Sequence, residues 1–385
     1  MTLSPVSSPT APLRLLFAAG GTGGHVYPAL AIADAVRALR PDAAIDFAGT
    51  RERMEWTAVP KAGYAIHPVT AAGLPRRLSA ALLRWPATLL RGLAESRALV
   101  ARLRPDVAVG AGGFVAGPVL WAAQRAGIPT LIQEQNAAAG LTNRLLGRRA
   151  DAIFVAFDAA ATAFPAGRAT VLDTPVRAGV GTGDRAQARA FFGLPEGAEG
   201  LLVFGGSLGA QALNEAVLAA LPALLARDGL HIVWATGARY IERTQAALAA
   251  SLAPERAARV HVHAFLDRMD LAYAAADLAL CRAGGSVTEL KVTGTPAILV
   301  PSPNVAGDHQ TPNAQAMEAA GAAVHLPEAE LSARLVATVH GLLADGPRRR
   351  AMSEAARRLA RPDAAAVIAR RVVALGEAHA TARPR

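Results

Sequence analysis

Short apolar runs alternate with helical stretches along most of the chain. In the first half, the apolar runs predict strands at Leu13–Ala19, Ile45–Gly49, Ala65–Val69, Val107–Gly110, Thr130–Gln133 and Ala152–Ala156. In the second half they predict strands at Leu201–Phe204, His231–Ala235, Val260–Ala264, Leu278–Cys281, Ala297–Pro301 and Ala323–Leu326. Strands separated by helices at this spacing are typical of βαβ units with a parallel sheet covered on both faces. The pattern therefore predicts an α/β protein with two doubly wound parallel sheets in tandem.

Helical stretches and turn formers divide the chain into domains. Helices are predicted at Pro28–Leu39, Ala87–Leu103, Pro118–Ala126 and Gly140–Leu146. The stretch Phe164–Val180 contains several prolines and glycines and is interpreted as the interdomain connection. The last helix, Asp363–Gly376, is expected to cross back onto the first domain. We predict a disordered segment 1–12, an N-terminal domain 13–170, a C-terminal domain 171–360, and a C-terminal helix with a frayed tail at 361–385.

Two glycine-rich turns stand where a predicted strand passes into a helix. The first glycine turn is Gly20–His25 (GGTGGH), and the second glycine turn is Gly205–Gly209 (GGSLG). Glycines at a strand end leave backbone N–H groups unobstructed beside the positive end of a helix, which suits a phosphate group. Two such turns indicate two similar domains that face one cleft. The structural alternative is that the glycines only close tight turns.

Composition limits the class of protein and its partners. The chain has 385 residues, enough for two domains, and 52% of them are hydrophobic, as in globular proteins. The formal net charge of +10 favours phosphates, lipid headgroups or nucleic acid as partners. Cys281 is the one cysteine and is interpreted as a core residue in a protein of a reducing compartment. No predicted signal or membrane-spanning segment is found, so a soluble or peripheral protein is expected.

Several familiar nucleotide-binding and metal-binding patterns are missing from the sequence. The third glycine turn, Gly110–Gly117, superficially resembles the G-x-G-x-x-G of dinucleotide-binding dehydrogenases, but its spacing differs and no acidic residue follows at the required distance. No Walker pattern, zinc-ligand spacing or D-x-D carboxylate pair occurs. A sugar nucleotide bound here would therefore have its diphosphate neutralised by helix ends and arginine rather than by a metal ion.

Two residues of the first half are candidates for a general base. His25 ends the first glycine turn, and a neutral imidazole is suited to accept a proton near neutral pH. Glu134 lies in the polar run Gln133–Asn136, directly after a predicted strand, and is the second candidate. The structural alternative for His25 is that it caps the turn.

Polar residues of the second half suit a nucleotide sugar. Ser207 and Arg177 are suited to phosphate groups. Glu289 follows the fourth glycine turn, Arg282–Ser286, and its carboxylate is able to accept hydrogen bonds from both ribose hydroxyls. Gln310 is suited to sugar hydroxyls, because an amide both donates and accepts. Stabilisation of a helix start is the structural alternative for Glu289.

With these residues in place, the chain resembles the MurG family of glycosyltransferases, which add N-acetylglucosamine (GlcNAc) to lipid I in bacterial cell-wall synthesis. The resemblance extends from Leu13 to about Ala374. Seven segments carry it in the order of the family: GGTGGHVYPALAIA, GGFVAGP, QEQNAAAGLTN, TPVR, GGSLGAQALN, RAGGSVTEL and DHQTPNA. The resemblance implies a GT-B fold, meaning two Rossmann-like domains that face a cleft, with UDP-GlcNAc held mainly by the C-terminal domain.

The resemblance also implies a role for individual residues. It assigns donor binding to Thr22, Gly23, Gly24, Asn136, Arg177, Ser207, Leu266, Glu289 and Gln310. Leu266 would contact uracil through its backbone. The acceptor diphosphate would lie against Gly21, Thr22, Gly23 and His25, and His25 would deprotonate the C4 hydroxyl of the acceptor sugar. The reaction would invert the anomeric carbon in one displacement. No cofactor is expected, and no residue is assigned to a metal ion.

Three segments depart from the family pattern. Gln133 stands where the family usually has histidine before Glu134, and Asp173-Thr174 precede Pro175 where the family usually has Gly-Asn. The stretch before Glu289 is one residue shorter than usual. The first two departures are expected to alter the polar contacts of the site.

The segment Leu74–Arg104 interleaves leucines with arginines, which suits the surface of an anionic membrane. The predicted membrane patch comprises Leu74, Leu78, Leu82, Trp85, Arg76, Arg77 and Arg84. The expected partners are thus UDP-GlcNAc, lipid I and the cytoplasmic face of the membrane, and not nucleic acid. An ordinary helix that buries its leucines against the sheet is the alternative for this segment.

Three other functions stay open at this stage. A glycosyltransferase of the same fold would act on another acceptor. An epimerase of similar fold would convert UDP-GlcNAc without any acceptor. A carbohydrate-binding or lipid-diphosphate-binding protein would have no catalysis.

Overall fold

The computed structural model describes residues 12–51, 53–73, 80–136, 138–177, 179–305, 308 and 310–382. These residues form two compact units. The first unit comprises 12–135, 139–175 and 363–382, and the second comprises 136–138 and 176–362. The predicted disordered segment 1–12 falls almost wholly outside the described residues.

The first unit is built on a parallel seven-stranded sheet with the order β3-β2-β1-β4-β5-β6-β7. Its strands are β1 (Arg14–Ala18), β2 (Ala44–Gly49), β3 (Ala65–Pro68), β4 (Val107–Gly110), β5 (Thr130–Glu134), β6 (Ala152–Val155) and β7 (Ala169–Val171). Its helices are α1 (Gly23–Leu39), α2 (Glu55–Lys61), α3 (Ala80–Leu103), α4 (Ala116–Arg125), α5 (Leu141–Gly147) and α6 (Asp158–Ala161). Buried side chains alternate along β1, where Leu15 and Phe17 face one core and Leu16 and Ala18 the other.

The second unit is built on a parallel six-stranded sheet with the order β10-β9-β8-β11-β12-β13. Its strands are β8 (Glu199–Phe204), β9 (Leu230–Ala235), β10 (Val260–His263), β11 (Leu278–Cys281), β12 (Ala297–Leu299) and β13 (Ala323–His325). Its helices are α7 (Arg185–Phe191), α8 (Gln211–Leu224), α9 (Ile241–Ser251), α10 (Pro254–Ala257), α11 (Met269–Ala275), α12 (Ser286–Thr293), α13 (Gln310–Ala319), α14 (Leu331–Ala344) and α15 (Gly346–Leu359). The predicted α/β class with two doubly wound parallel sheets is confirmed.

Helix α16 (Ala364–Ala382) returns to the first unit and packs on α1. Ile368, Ala369 and Val372 are fully buried in the core that also contains Leu15 and Phe17. Gly376 leaves room for Leu13, since an added Cβ atom would lie 2.9 Å from Leu13 Cδ1. The prediction of a frayed tail is wrong for residues 377–382, because α16 continues beyond Gly376 to Ala382.

Three further boundaries differ from the prediction. Helix α1 begins at Gly23 instead of Pro28, so the proline lies inside the helix and lacks the N–H that would bond to Gly24. Helix α3 likewise begins before its own proline, Pro86. Strand β7 lies inside the segment interpreted as the connection, and the first unit extends to Pro175.

Three histidines, His231, His261 and His263, form a cluster on β9 and the edge strand β10. Nδ1 of His231 lies 3.3 Å from Nε2 of His261, and the two rings are stacked. The His263 ring packs edge-on against Phe192. Burial lowers the pKa of all three. The charge of His263 lowers the pKa of His261 further, and the charges of His261, Arg259 and Arg189 lower that of His231 further. We call this group the histidine cluster.

Candidate active site

Each sheet has one point at which the chain order reverses, and the glycine turns lie there in pairs. β1 is hydrogen-bonded to both β2 and β4, and β8 to both β9 and β11. The first and third glycine turns therefore follow adjacent strands, as do the second and fourth. Crevices outside the carboxyl ends of strands at such switch points are where doubly wound sheets bind ligands.

The first glycine turn carries the chain from β1 into α1. Gly21 has a φ of +92°, a conformation that favours glycine. Thr22 is the N-cap of α1, and its side chain makes no capping hydrogen bond. Gly23, Gly24 and His25 occupy the first helical turn, at the positive end of a 17-residue helix. The turn therefore places His25 beside an end of α1 that suits an anion.

The first glycine turn is hydrogen-bonded to a buried carboxylate, Glu55. It is fully buried, and its oxygens accept hydrogen bonds from the amides of Gly21 and Thr50, both at 3.0 Å. A Cβ atom on Gly20 would lie 2.5 Å from Glu55 Oε1, so only glycine fits. The Gly21 amide, expected at the acceptor diphosphate, is thus engaged by Glu55. Glu55 was not predicted as part of the site, because its only signal in the sequence is its position in the first turn of a short helix.

His25 is held between the third glycine turn and Gln135. Its Nδ1 lies 3.1 Å from Gln135 Oε1. Gly112 has a φ of +99°, and a Cβ atom there would lie only 2.3 Å from His25 Nδ1. A Cβ atom on Gly113 would lie 2.2 Å from the Gly20 carbonyl oxygen. The third glycine turn, rejected above as a dinucleotide motif, therefore packs directly against the imidazole and the first glycine turn.

The polar run Gln133–Asn136 begins inside β5, which continues to Glu134, and its residues make different contacts. Gln135 Nε2 donates to the Ala111 carbonyl oxygen at 2.6 Å and to Gln133 Oε1. Glu134 is 2% exposed, and its Oε2 accepts hydrogen bonds from the Gly140 amide at 3.0 Å and from Asn143 Nδ2 at 2.9 Å. The contacts of Glu134 join β5 to the start of α5. Asn136 is grouped with the second unit.

The second glycine turn carries β8 into α8. Gly206 and Gly209 have φ values of +90° and +74°, and a Cβ atom on Gly209 would lie 2.1 Å from the Thr236 carbonyl oxygen. Ser207 is partly exposed in this turn. No side chain caps α8 at its N-cap, Ala210. The geometry is that of an anion-binding strand–turn–helix.

The fourth glycine turn places Glu289 in the first turn of α12. Its Oε2 accepts a hydrogen bond from the Tyr273 hydroxyl at 2.8 Å, and its Oε1 lies 3.6 Å from Arg177 Nη2. Burial and the neighbouring carboxylate hold the pKa of Tyr273 well above its usual value, so the phenol is a donor. Cys281 is fully buried in the core of the second unit, which confirms that it is a core residue, and this burial raises the pKa of its thiol.

Gln310 lies against the same turn from α13. Its Oε1 accepts from the Ser302 amide at 2.9 Å, and its Nε2 lies 3.6 Å from where a Cβ atom of Gly284 would be. Its amide nitrogen is thus directed at the fourth glycine turn. The Leu266 side chain is buried in the core of the second unit.

An apolar rim borders the carboxyl edge of the first sheet. Helix α3 leads into the start of β4 and therefore begins at that edge, where Trp85 Nε1 donates to Ala72 O at 3.2 Å. Large apolar side chains are exposed nearby at Leu83 (85%), Leu90 (67%), Phe114 (68%), Leu141 (61%) and Leu145 (57%). Arg84, Arg144 and Arg148 are exposed among them. Leu74, Arg76, Arg77, Leu78 and the side chain of Leu82 fall outside the described residues.

The described residues contain neither a metal-binding cluster nor a helix that could cross a membrane. Among residues 12–382 that the structure describes, no group of three histidine, cysteine, aspartate or glutamate side chains is arranged to hold a metal ion. No described helix combines the length and apolar character needed to cross a bilayer.

Most of the chain matches a known protein family. The glycosyltransferase family 28 N-terminal domain matches residues 15–155, and its C-terminal domain matches residues 200–368. The chain is 54% identical to the UDP-N-acetylglucosamine–N-acetylmuramyl-(pentapeptide) pyrophosphoryl-undecaprenol N-acetylglucosamine transferase of Salinibacter ruber, over 96% of this chain and 98% of that protein. The protein of the same name in Bacteroides thetaiotaomicron is 40% identical, over 95% and 98%. The crystal structure of Acinetobacter baumannii MurG superposes with a TM-score of 0.69 at 31% identity, covering 94% of this chain and all of that one.

Proposed function

Because the chain belongs to the MurG family within glycosyltransferase family 28, we propose that it transfers GlcNAc from UDP-GlcNAc to the C4 hydroxyl of the N-acetylmuramoyl sugar of lipid I, giving lipid II. The fold is the GT-B fold of that family. The observation that carries the proposal is the different chemistry of the two switch points. One holds a positioned imidazole, and the other holds a partly buried carboxylate, oriented by Tyr273, beside a turn whose helix end suits an anion.

The second unit supplies the donor side of the reaction. Ser207 and the uncapped start of α8 bind the diphosphate of UDP, and Arg177 adds positive charge next to Glu289. The Glu289 carboxylate accepts hydrogen bonds from the ribose hydroxyls. Gln310 donates from Nε2 to a GlcNAc hydroxyl, and the Leu266 backbone contacts uracil. Arginine and helix ends thereby take the place of a metal ion at the diphosphate.

The first unit supplies the acceptor side and the base. The acceptor diphosphate binds at the start of α1, beside Thr22 and Gly23, where the helix dipole favours an anion. His25 removes the proton of the C4 hydroxyl while the oxygen attacks the anomeric carbon, and UDP leaves with the electron pair of the broken C–O bond. A single displacement inverts that carbon. We favour His25 over Glu134 as the base, because Glu134 is buried with its Oε2 bonded to Gly140 and Asn143.

The apolar rim binds an anionic membrane, where the lipid-linked acceptor resides. Exposed leucines and Phe114 enter the interface, and the surrounding arginines pair with lipid headgroups. The rim lies on the sheet edge that carries the first glycine turn, so binding to the membrane brings the acceptor diphosphate towards His25. We place the protein at the cytoplasmic face of the membrane as a peripheral protein.

Purified protein with labelled UDP-GlcNAc and a lipid I analogue tests the reaction. We expect labelled lipid II, formed with inversion of the anomeric carbon. The rate of the His25→Ala variant should be no more than about 1% of the wild-type rate, since a positioned base contributes about 10²–10⁴-fold. Transfer only to other acceptors would indicate a different glycosyltransferase. UDP-ManNAc formed from the donor alone would indicate an epimerase, and binding without turnover would indicate a non-catalytic protein.

Sedimentation with vesicles of anionic or zwitterionic lipid tests the membrane surface. We expect Leu83→Asp and Leu90→Asp to reduce binding to anionic vesicles, while the control Leu359→Asp, on an exposed leucine of the second unit, leaves it unchanged. If Leu83→Asp and Leu90→Asp bind anionic vesicles as well as Leu359→Asp does, the proposal that this surface binds the membrane is refuted.

A further inference from the structure

One side chain, Gln135, connects the candidate base to the backbone of the sheet. Its Oε1 lies 3.1 Å from His25 Nδ1, and its Nε2 lies 2.6 Å from the carbonyl oxygen of Ala111. Gln135 itself is buried at the end of β5. The two ends of one amide group are thus in contact with two different kinds of partner.

The partner at Ala111 determines which way the amide points. A backbone carbonyl oxygen only accepts hydrogen bonds, so the nitrogen of the Gln135 amide must face it. Ala111 is itself held beside β1, since its N–H donates to Ala18 O at 3.0 Å. The oxygen of the Gln135 amide therefore faces His25.

Gln133 strengthens this arrangement at a position where the chain departs from the family pattern. Its Oε1 accepts a second hydrogen bond from Gln135 Nε2. Both protons of the Gln135 amide nitrogen then have an acceptor. A flipped Gln135 amide would place its oxygen against the Ala111 carbonyl and would lose both bonds.

An acceptor facing Nδ1 decides which nitrogen of a neutral imidazole carries the proton. We propose that Gln135 is a positioning residue that holds His25 in the tautomer protonated at Nδ1, so that Nε2 carries the lone pair that takes the acceptor proton. The proposal rests on the proposed function only for the identity of that acceptor. After transfer, both imidazole nitrogens carry a proton, and Nδ1–H still donates to Gln135 Oε1, so the contact survives the reaction.

Two measurements on Gln135→Met test the proposal, since methionine has a similar length and makes no such hydrogen bond. The first is long-range ¹H–¹⁵N NMR of histidine-labelled protein, with the His25 signals assigned by their loss in His25→Gln. We expect wild-type His25 to show a protonated Nδ1 and an unprotonated Nε2, and the variant to lose this single tautomer. The second is turnover, where we expect kcat to fall about 10- to 100-fold, with KM for UDP-GlcNAc within about twofold of wild type.

Gln124→Met is the matched control. Gln124 Nε2 also makes two hydrogen bonds, to Thr130 Oγ1 at 3.1 Å and to Leu146 O at 3.0 Å, but it is bonded to neither His25 nor Ala111. We expect this control to lower stability and to leave the His25 tautomer unchanged. Gln135→Glu should recover most of the lost kcat, because a carboxylate oxygen still accepts from Nδ1–H although it faces the Ala111 carbonyl unfavourably.

Three results would overturn the proposal. One is a wild-type His25 protonated at Nε2. Another is a Gln135→Met variant with an unchanged tautomer and a kcat no lower than that of Gln124→Met. The third is a Gln135→Glu variant that is as stable as Gln135→Met but less active, which would mean that an acceptor at His25 Nδ1 does not assist the reaction. The NMR result does not depend on the substrate, so it remains decisive even if lipid I is not the acceptor.

Discussion

Replacing Gly112 with alanine tests whether the third glycine turn positions the base. The new Cβ atom would lie 2.3 Å from His25 Nδ1, whereas ordinary contacts begin at 3.4 Å, so the imidazole must move by about 1 Å. A displacement of about 1 Å at a reacting group costs about 10²-fold in rate. We therefore expect kcat to fall about 100-fold, while KM for UDP-GlcNAc stays within about threefold, because six of the nine residues assigned to the donor lie in the second unit.

The alanine also adds backbone strain, which needs a separate control. Alanine at a φ of +99° costs about 1–3 kcal/mol of stability. Gly179 has a φ of +89° with nothing within 4 Å of an added Cβ atom, so Gly179→Ala carries the strain without the contact. Thermal unfolding should show similar losses of Tm in both variants, and steady-state assays should show the loss of kcat only in Gly112→Ala. A folded Gly112→Ala variant with wild-type kcat would refute the reasoning.

Three further predictions follow from contacts described above. Tyr273→Phe removes the hydrogen bond that orients Glu289, so KM for UDP-GlcNAc should rise about 5- to 10-fold in steady-state assays with kcat nearly unchanged; an unchanged KM would contradict this role. Glu55→Gln replaces one accepting oxygen with an amide nitrogen that faces a backbone N–H. The free energy of unfolding, measured with urea, should fall by about 2–4 kcal/mol, compared with less than about 1 kcal/mol for Glu95→Gln at a partly exposed position. In the histidine cluster the pKa values of the folded protein lie below those of the unfolded chain, so the unfolded chain binds more protons as the pH falls. The free energy of unfolding should therefore keep its full value above about pH 6.5 and decrease below that pH, with a smaller decrease in His261→Gln. A urea midpoint that does not change between pH 7 and pH 5 would exclude the effect.

The sheets were predictable because their strands are buried on both faces. Such strands are nearly continuous apolar runs, so β1 and β8 lie within one or two residues of their predicted bounds. Strand β7 has only three residues, is partly exposed and lies at a sheet edge among turn formers, so its pattern resembles a connection. Helix α2 is seven residues long with a proline inside, too short to show a helical period.

The site was predictable only in its sequence-local parts. The glycine turns and His25 are visible because one short segment contains strand end, turn and helix start. The contacts of His25 with Gly112 and Gln135 depend on β4 lying next to β1 and on β5 lying next to β4, an order that no local pattern contains. Glu55 is similar, since its partners Gly21 and Thr50 follow two different strands.

The return of α16 to the first unit has a consequence for synthesis of the chain. The core face that α16 covers, with Leu15 and Phe17, is made early, but α16 itself is made only after the whole second unit. All of residues 176–362 are translated in between, which takes roughly 10–40 s at bacterial rates of about 5–20 residues per second. During that interval the second unit is able to fold as a nearly continuous segment, while the first waits with an apolar face uncovered. Nascent chains stalled before residue 363 should therefore carry a protease-resistant second unit and need chaperone protection for the first.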